Sequence, residues 1–406
     1  MTDLATRPAA PLWRRAAPAL LGYACVRALG LVALTLWSAA RDRSALTLLS
    51  ARWDSLWYTR VAELGYGYEV RLPNGDVHSN LAFFPLLPWL ERAVSAVTPL
   101  SYAHAGLAVG MLASLAAAWG VFAVVDHVYG RRAGVCAVLL WAVLPVGVVQ
   151  SMAYTEALFT ALAAWSLHAV LTGRWVIAGT LAALAGLTRP VGLAVVAAVW
   201  AAAIASSVRD RRSGATPTAE GPTRAPSSGG NRSADASGGT SLWPRALGML
   251  LAPLGVGGYV LWVGRHTGKG PLGYLDVQAG WRNGFDGGWA FARFVADKFT
   301  SFPSALAGVG LTIGVALIIW LYVVCVRQGQ PLPLLVYAGV VTALALCASS
   351  YFGSKPRLLM PAFPLLLPLA RTLARARTPT SATVLGGVAV ASAVYGAFWL
   401  NGSGPP

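Results

Sequence analysis

The densest run of chemically capable residues in the chain is Arg52-Trp53-Asp54-Ser55-Leu56-Trp57-Tyr58, followed by Val61, Leu64, Gly65 and Tyr66. Two readings fit its spacing. In one, Asp54 N-caps a short helix whose Trp57, Val61 and Leu64 share a face and which Gly65 ends. In the other, Asp54 is a carboxylate at a lipid-water boundary that acts as general base toward an acceptor hydroxyl. Trp53, Trp57 and Tyr58 would then stack on a sugar, with Arg52 beside them.

Three further clusters could work with it. Tyr154-Thr155-Glu156-Ala157-Leu158-Phe159 places Glu156 at the start of an apolar run, and Leu187-Thr188-Arg189-Pro190 places Arg189 between two such runs. Ionisable groups at that depth are costly and face a cavity or a partner. A guanidinium there suits a phosphate, which it binds bidentately, whereas a Glu-Arg ion pair or snorkelling to the interface is the plainer alternative. Ser349-Ser350-Tyr351-Phe352-Gly353-Ser354-Lys355-Pro356-Arg357 brings two cations and several hydroxyls into one short loop, an arrangement that could cradle an anion near Arg189. Lys355 is one of three lysines in the chain, with Lys269 and Lys298, all on the same expected face. Asn80-Leu81-Ala82-Phe83-Phe84-Pro85-Leu86-Leu87-Pro88-Trp89 is apolar but carries two prolines. It reads either as a re-entrant or interfacial segment lining a cavity or as a kinked packing helix.

Other chemistries find no footing. The five histidines are scattered without an HxxxH or HxH pair, and Cys25, Cys136, Cys325 and Cys347 lie inside apolar runs without a CxxC, so no metal is indicated. There is no Walker or Rossmann glycine pattern, and no cofactor is implied. The net charge of +16 is spread between apolar runs rather than gathered into a stripe with interleaved aromatics, which argues against nucleic acid.

The elements that must position these residues are membrane spans. Of 406 residues, 56% are hydrophobic and 11% charged, against about a quarter charged in soluble domains. Apolar runs near the length of about twenty residues that a crossing needs fall at 16-38, 104-125, 133-150, 153-171, 175-188, 190-207, 246-264, 304-326, 331-348, 358-370 and 382-400. The first, preceded by Arg14 and Arg15, is too long for a signal peptide core and reads as an uncleaved span in a multi-pass cell-membrane protein. With a cytoplasmic N-terminus every inner loop holds arginine, as the positive-inside rule asks, and ten of the fifteen acidic residues fall outside. Residues 208-245 are rich in Ser, Gly, Thr and Pro and poor in large apolar side chains, which predicts a disordered cytoplasmic linker between membrane halves 1-207 and 246-406. Two outer segments, 39-103 and 265-303, mix aromatics with charges and predict amphipathic helices on the membrane surface, with the chemistry on that outer side.

Taken in order, Arg52-Trp53-Asp54-Ser55 with Trp57-Tyr58 and Gly65-Tyr66, Phe83-Phe84-Pro85-Leu86 with Pro88, Tyr154 to Phe159, Thr188-Arg189-Pro190 with Gly192, and Pro356-Arg357-Leu358 with Pro361 resemble the GPI mannosyltransferase II (PIG-V type) family and its bacterial relatives. The resemblance covers about residues 15 to 370 and leaves out the 208-245 linker and the last span. It implies an all-α polytopic membrane protein, a GT-C-like bundle of about ten or eleven transmembrane helices with amphipathic interfacial helices in the first outer loop. It also implies an inverting glycosyltransferase, typically for mannose, with Asp54 as catalytic base, a polyprenyl-phosphate sugar as donor and a lipid or glycan as acceptor. Joined to the residue reading, Arg189, Lys355 and Arg357 would hold the lipid phosphate, and Tyr154 and Glu156 would orient sugar or acceptor. A lipid or glycan transporter, or a non-catalytic membrane subunit presenting its outer loops to a protein partner, are the alternatives from other classes. No repeat relates the two halves as a transporter fold would favour.

Overall fold

The computed structural model describes residues 11–214, 242–349, 351–402 and 404. The architecture is all-α. Among the described residues, six helices are long and apolar enough to cross a membrane: Leu12–Ala39, Tyr102–Tyr129, Pro190–Arg212, Leu242–His266, Ser304–Arg327 and Thr378–Leu400. Shorter apolar helices, Thr155–Leu171, Trp175–Gly186 and Leu332–Cys347, pack among them.

Two expected spans are broken, and proline explains both. The run 133-150 forms the helix Arg131–Ala142, then turns at Pro145 into the 3-10 segment Gly147–Ser151. The run 358-370 belongs to a pair, Phe352–Leu359 and Phe363–Arg375, bent by 74° across a stretch holding Pro361. Proline removes an intrahelical donor and clashes with the preceding turn. The freed carbonyls are used: Arg27 donates to those of Ala142 and Gly147, Trp141 Nε1 to Met360 (3.1 Å) and Tyr337 Oη to Pro361 (3.0 Å).

The helix after Arg189 runs on to Gly214 and the next begins at Leu242, so both ends of the expected linker 208-245 are helical, while 215–241 lie outside the described residues. The two membrane halves are interlocked. The first helix packs along the last, and Leu332–Cys347 lies against Leu193–Gly214. Trp175–Gly186 meets Leu242–His266 at backbone distance, where a Cβ on Gly179 would collide with the Gly248 carbonyl and one on Gly255 with the Ala183 carbonyl.

One end of the bundle is rich in arginine. There Arg15 pairs with Asp126 (2.6 Å), Arg245 with Asp210 (2.6 Å), and Arg371 donates to Gln328 (2.8 Å). The other end carries segments 39-103 and 265-303. The first holds three short helices, Ala45–Ser50, Asp54–Leu64 and Leu86–Val97, and an antiparallel hairpin pairing Glu69–Arg71 with Val77–Ser79. The second holds Gly273–Gly280 and Trp289–Asp297, and its Gly284–Phe285 pairs with Ala348–Ser349. The two segments are tied together: Trp281 Nε1 donates to the Ser79 carbonyl (3.0 Å), Arg282 pairs with Asp76 (2.6 Å), and Tyr259 Oη, from the span leading into the second segment, reaches the Leu81 and Phe83 carbonyls (both 2.9 Å).

Candidate active site

Four side chains from four separate stretches meet at this end. Arg357 Nη1 lies 2.7 Å from Asp54 Oδ2, and its Nε lies 3.3 Å from Glu156 Oε1. Arg189 Nη1 approaches the same Glu156 oxygen at 2.9 Å. The result is an alternating chain of charge, Asp54, Arg357, Glu156, Arg189. Its inner members are shielded from solvent, Glu156 at 2% side-chain exposure and Arg357 at 10%, whereas Asp54 is 31% exposed and forms the open end.

Local structure explains each position. Asp54 is the first residue of its helix, not the N-cap; the cap is Trp53, whose φ of 55° is unusual for a non-glycine residue. That backbone is braced on both sides. Ser55 Oγ bridges the N–H and carbonyl of Arg52 (2.8 and 2.7 Å), and the Arg52 guanidinium lies 3.9 Å over the Trp53 ring while donating to the Leu400 and Gly402 carbonyls (both 3.0 Å). Gly65 does end the helix, with φ 79°. The buried face, however, is Ser55, Tyr58, Val61 and Ala62, and Leu64 is exposed.

Glu156 sits in the first turn of Thr155–Leu171, where the helix N-terminus favours negative charge. Arg189 occupies an extended residue just before the 3-10 turn Pro190–Gly192. That turn is fixed to the outer segment, since the Leu86 N–H donates to the Leu187 carbonyl (3.0 Å). Pro85 and Pro88 begin the helix Leu86–Val97 and do not kink one, because a proline in the first turn removes an N–H that would have no partner there. Arg357 projects from Lys355–Leu359, the half of the broken span nearest this end.

The aromatic residues divide between two places. Tyr154 lies beneath Arg357, its ring centroid 5.0 Å from the guanidinium carbon. Tyr58 Oη contacts Thr155 Oγ1 at 3.1 Å. Burial, and after it the Asp54 carboxylate, push the Tyr58 phenol above its ordinary value, so it stays protonated and able to donate. Trp57 belongs instead to an aromatic wall, stacked on Phe83 (5.6 Å) and edge-on to Trp281 (4.9 Å), with His78 stacked on Trp281 at 4.0 Å.

Lys355 does not share a cradle with Arg357. Its Nζ donates to the carbonyls of Ala345 and Ala348 (2.8 Å each), capping the end of Leu332–Cys347, and it lies 4.7 Å over Phe291. Two residues from the same loop thus perform different tasks, because one short helical turn aims them apart. Sequence reading missed Trp281 and His78 as parts of the wall. It also missed Asn80, whose buried amide accepts from the Gly67 N–H (3.1 Å) and donates to the Gly65 carbonyl (3.0 Å), holding the turn after the Asp54 helix.

Residues 81–219 match the family described as dolichyl-phosphate-mannose-protein mannosyltransferase. That stretch holds Tyr154, Glu156 and Arg189. No curated protein sequence matches the chain significantly. Among solved structures, ArnT from Cupriavidus metallidurans in the apo state is 17% identical over 88% of this chain and 60% of its own, with a TM-score of 0.50. The crystal structure of the same protein bound to undecaprenyl phosphate gives 15% identity over 87% of this chain and 60% of that one, with a TM-score of 0.49. The chain therefore spans about 60% of the length of these structures. It is an all-α multi-pass membrane protein with the fold of apo ArnT, and over residues 81–219 it is similar to the dolichyl-phosphate-mannose-protein mannosyltransferases.

Proposed function

We propose that the protein is a membrane glycosyltransferase that moves a sugar from a polyprenyl-phosphate carrier to a hydroxyl of a lipid or glycan acceptor at the outer membrane face. The observation that carries this reading is the chain of ion pairs from Asp54 through Arg357 and Glu156 to Arg189, with its carboxylate end open and its arginines set behind it. The donor class is supported by the family matched over residues 81–219, whose name specifies a dolichyl-phosphate sugar. Mannose is supported by that name and by the resemblance to the PIG-V type family.

In the reaction the acceptor oxygen attacks the anomeric carbon from the face opposite the phosphate. The bond from that carbon to the phosphate oxygen breaks, the acceptor proton passes to Asp54, and the polyprenyl phosphate leaves with the bond's electron pair. Arg357 and Arg189 stabilise the charge growing on the phosphate, as fixed donors do wherever charge develops. Glu156 holds the two guanidiniums at one spacing. Arg357 already contacts Asp54, so an arriving phosphate competes for that guanidinium and frees the carboxylate to act as base. Trp57, Phe83 and Trp281 form a wall on which a sugar ring or lipid could lie.

Asp54→Asn tests the assignment because it keeps shape and removes the base. Transfer from polyprenyl-phosphate-mannose by the purified protein, supplied with a cell-envelope lipid extract, is expected to fall by about 10²–10⁴-fold. Undiminished transfer removes Asp54 from the base role, and transfer from no polyprenyl-phosphate sugar at all ends the glycosyltransferase reading.

A further inference from the structure

The helices that carry the charge chain at one end carry a cavity of about 570 Å³ at the other. Thr155–Leu171 presents Glu156 at its start and Val170 and Leu171 to the cavity. The helix that follows Arg189 reaches it with Ser206 and Arg209, and the helix whose last turn Lys355 caps begins there. Seventeen residues of helix span about 25 Å. A ligand in this cavity is therefore out of contact with the charge chain.

Its lining has two characters. Two of its residues carry guanidiniums. Arg245 is fixed between the Trp175 ring, 5.5 Å away, and Asp210, to which Nη1 donates at 2.6 Å. A guanidinium has five N–H donors, so that bond leaves further donors at the cavity wall. Arg209 also lines the cavity and has no ion-pair partner among the described residues. The helix ends that build the site hold Arg174, Arg209, Arg211, Arg212 and Arg245 against the single acid Asp210. Much of the remaining lining is apolar, including Leu171, Leu332 and the prolines beside it. Guanidiniums in an otherwise largely apolar lining suit an amphiphile, and guanidinium forks match phosphate oxygens bidentately.

We propose that this cavity binds a phosphate group, carried by the head group of a membrane lipid, at the membrane face opposite the charge chain. The site does not depend on the reaction proposed above, and its test needs no turnover. Full-length protein in mild detergent is mixed with phosphatidic acid or with diacylglycerol of the same acyl chains, and retained lipid is counted by native mass spectrometry. A parallel melt compares inorganic phosphate with chloride at equal ionic strength. Wild-type protein is expected to retain phosphatidic acid about tenfold better than diacylglycerol, the scale of a charge-assisted contact. Arg209→Gln, which removes a donor from an exposed position, and Ala205→Trp, which fills the cavity, are each expected to erase most of that preference while leaving the melting temperature of the lipid-free protein near wild type. Stabilisation by inorganic phosphate alone, lost in the same variants, supports the phosphate site and assigns it to a soluble source. Equal retention of the two lipids without a phosphate effect, or a preference that survives both variants, overturns the proposal.

Discussion

Arg357 touches two carboxylates carried by different elements, Asp54 through Nη1 and Glu156 through Nε. Lysine offers one compact ammonium in place of the two separate nitrogens that reach these oxygens. Arg357→Lys is therefore expected to lower donor-dependent kcat/KM by about tenfold to a hundredfold, the value of one lost charge-assisted hydrogen bond; wild-type kinetics in that variant would remove Arg357 from the site. Glu156 has the opposite role, because it sits between two guanidiniums that are both largely shielded from water. Glu156→Ala leaves Arg189 without its carboxylate and Arg357 with Asp54 alone, and is expected to cost about 3–5 kcal/mol of stability, visible as early melting whether or not donor is present. Glu91 provides a pH dependence separate from the reaction. It is fully buried in Leu86–Val97 with no partner for either oxygen among the described residues, and burial pushes its carboxyl up to about 9. The folded state thus keeps a proton that the unfolded chain releases near the ordinary carboxylate range, so stability is fullest below that range and declines as pH rises toward about 9. Glu91→Gln is expected to flatten that decline in melts recorded from pH 5 to 9, and an unchanged slope would show that Glu91 does not cause it.

At the scale of elements, the contact of Trp175–Gly186 with Leu242–His266 depends on glycines that allow backbone against backbone. Small residues at such crossings let membrane helices approach closely. Gly179→Val places a branched side chain against the Gly248 carbonyl and is expected to lose at least about 1–3 kcal/mol, the usual cost of overpacking, measured as a fall in melting temperature and in folded yield. Hydropathy makes these helices legible in the sequence because each carries a nearly continuous apolar run, and Leu12–Ala39, Tyr102–Tyr129 and Ser304–Arg327 match the expected spans closely. Hydropathy is blind to what interrupts them. A single proline such as Pro145 or Pro361 lowers the mean of a long apolar window only slightly, yet these two turn expected spans into broken ones. The site is legible to a similar depth. Motif order picked out Asp54, Tyr154, Glu156, Arg189 and Arg357, and the Glu156 to Arg189 pair had been one of the plain alternatives. The way Arg357 joins Asp54 to Glu156 could not be read, since nothing in local spacing tells which of two neighbouring cations, Lys355 or Arg357, turns toward a residue some three hundred positions away.

At the scale of the whole molecule, the sorting of charge seen along the sequence becomes a sorting in space. Arginine-rich loops close one end of the bundle around Asp126 and Asp210, and the aromatic segments close the other. If the arginine-rich end is cytoplasmic, as the positive-inside rule proposes, a cysteine placed in the exposed hairpin turn by Asn74→Cys is expected to react with a membrane-impermeant maleimide in intact cells, and Arg211→Cys only after permeabilisation. The reverse pattern would turn the proposed site to the inner face. The last helix has a bearing on when the site can exist at all. Its final residues receive Arg43 at Asn401 and Arg52 at Leu400 and Gly402, and Asn401 in turn donates to Ser38. Arg52 is two residues from Asp54, and its hydrogen bonds help to hold the turn that presents the carboxylate. During synthesis those partners emerge some three hundred and fifty residues after Arg52. A ribosome-bound chain can thus insert the helices that precede Thr378–Leu400 while the turn before Asp54 still lacks its brace, and that turn is completed only once residues 400–402 have been made.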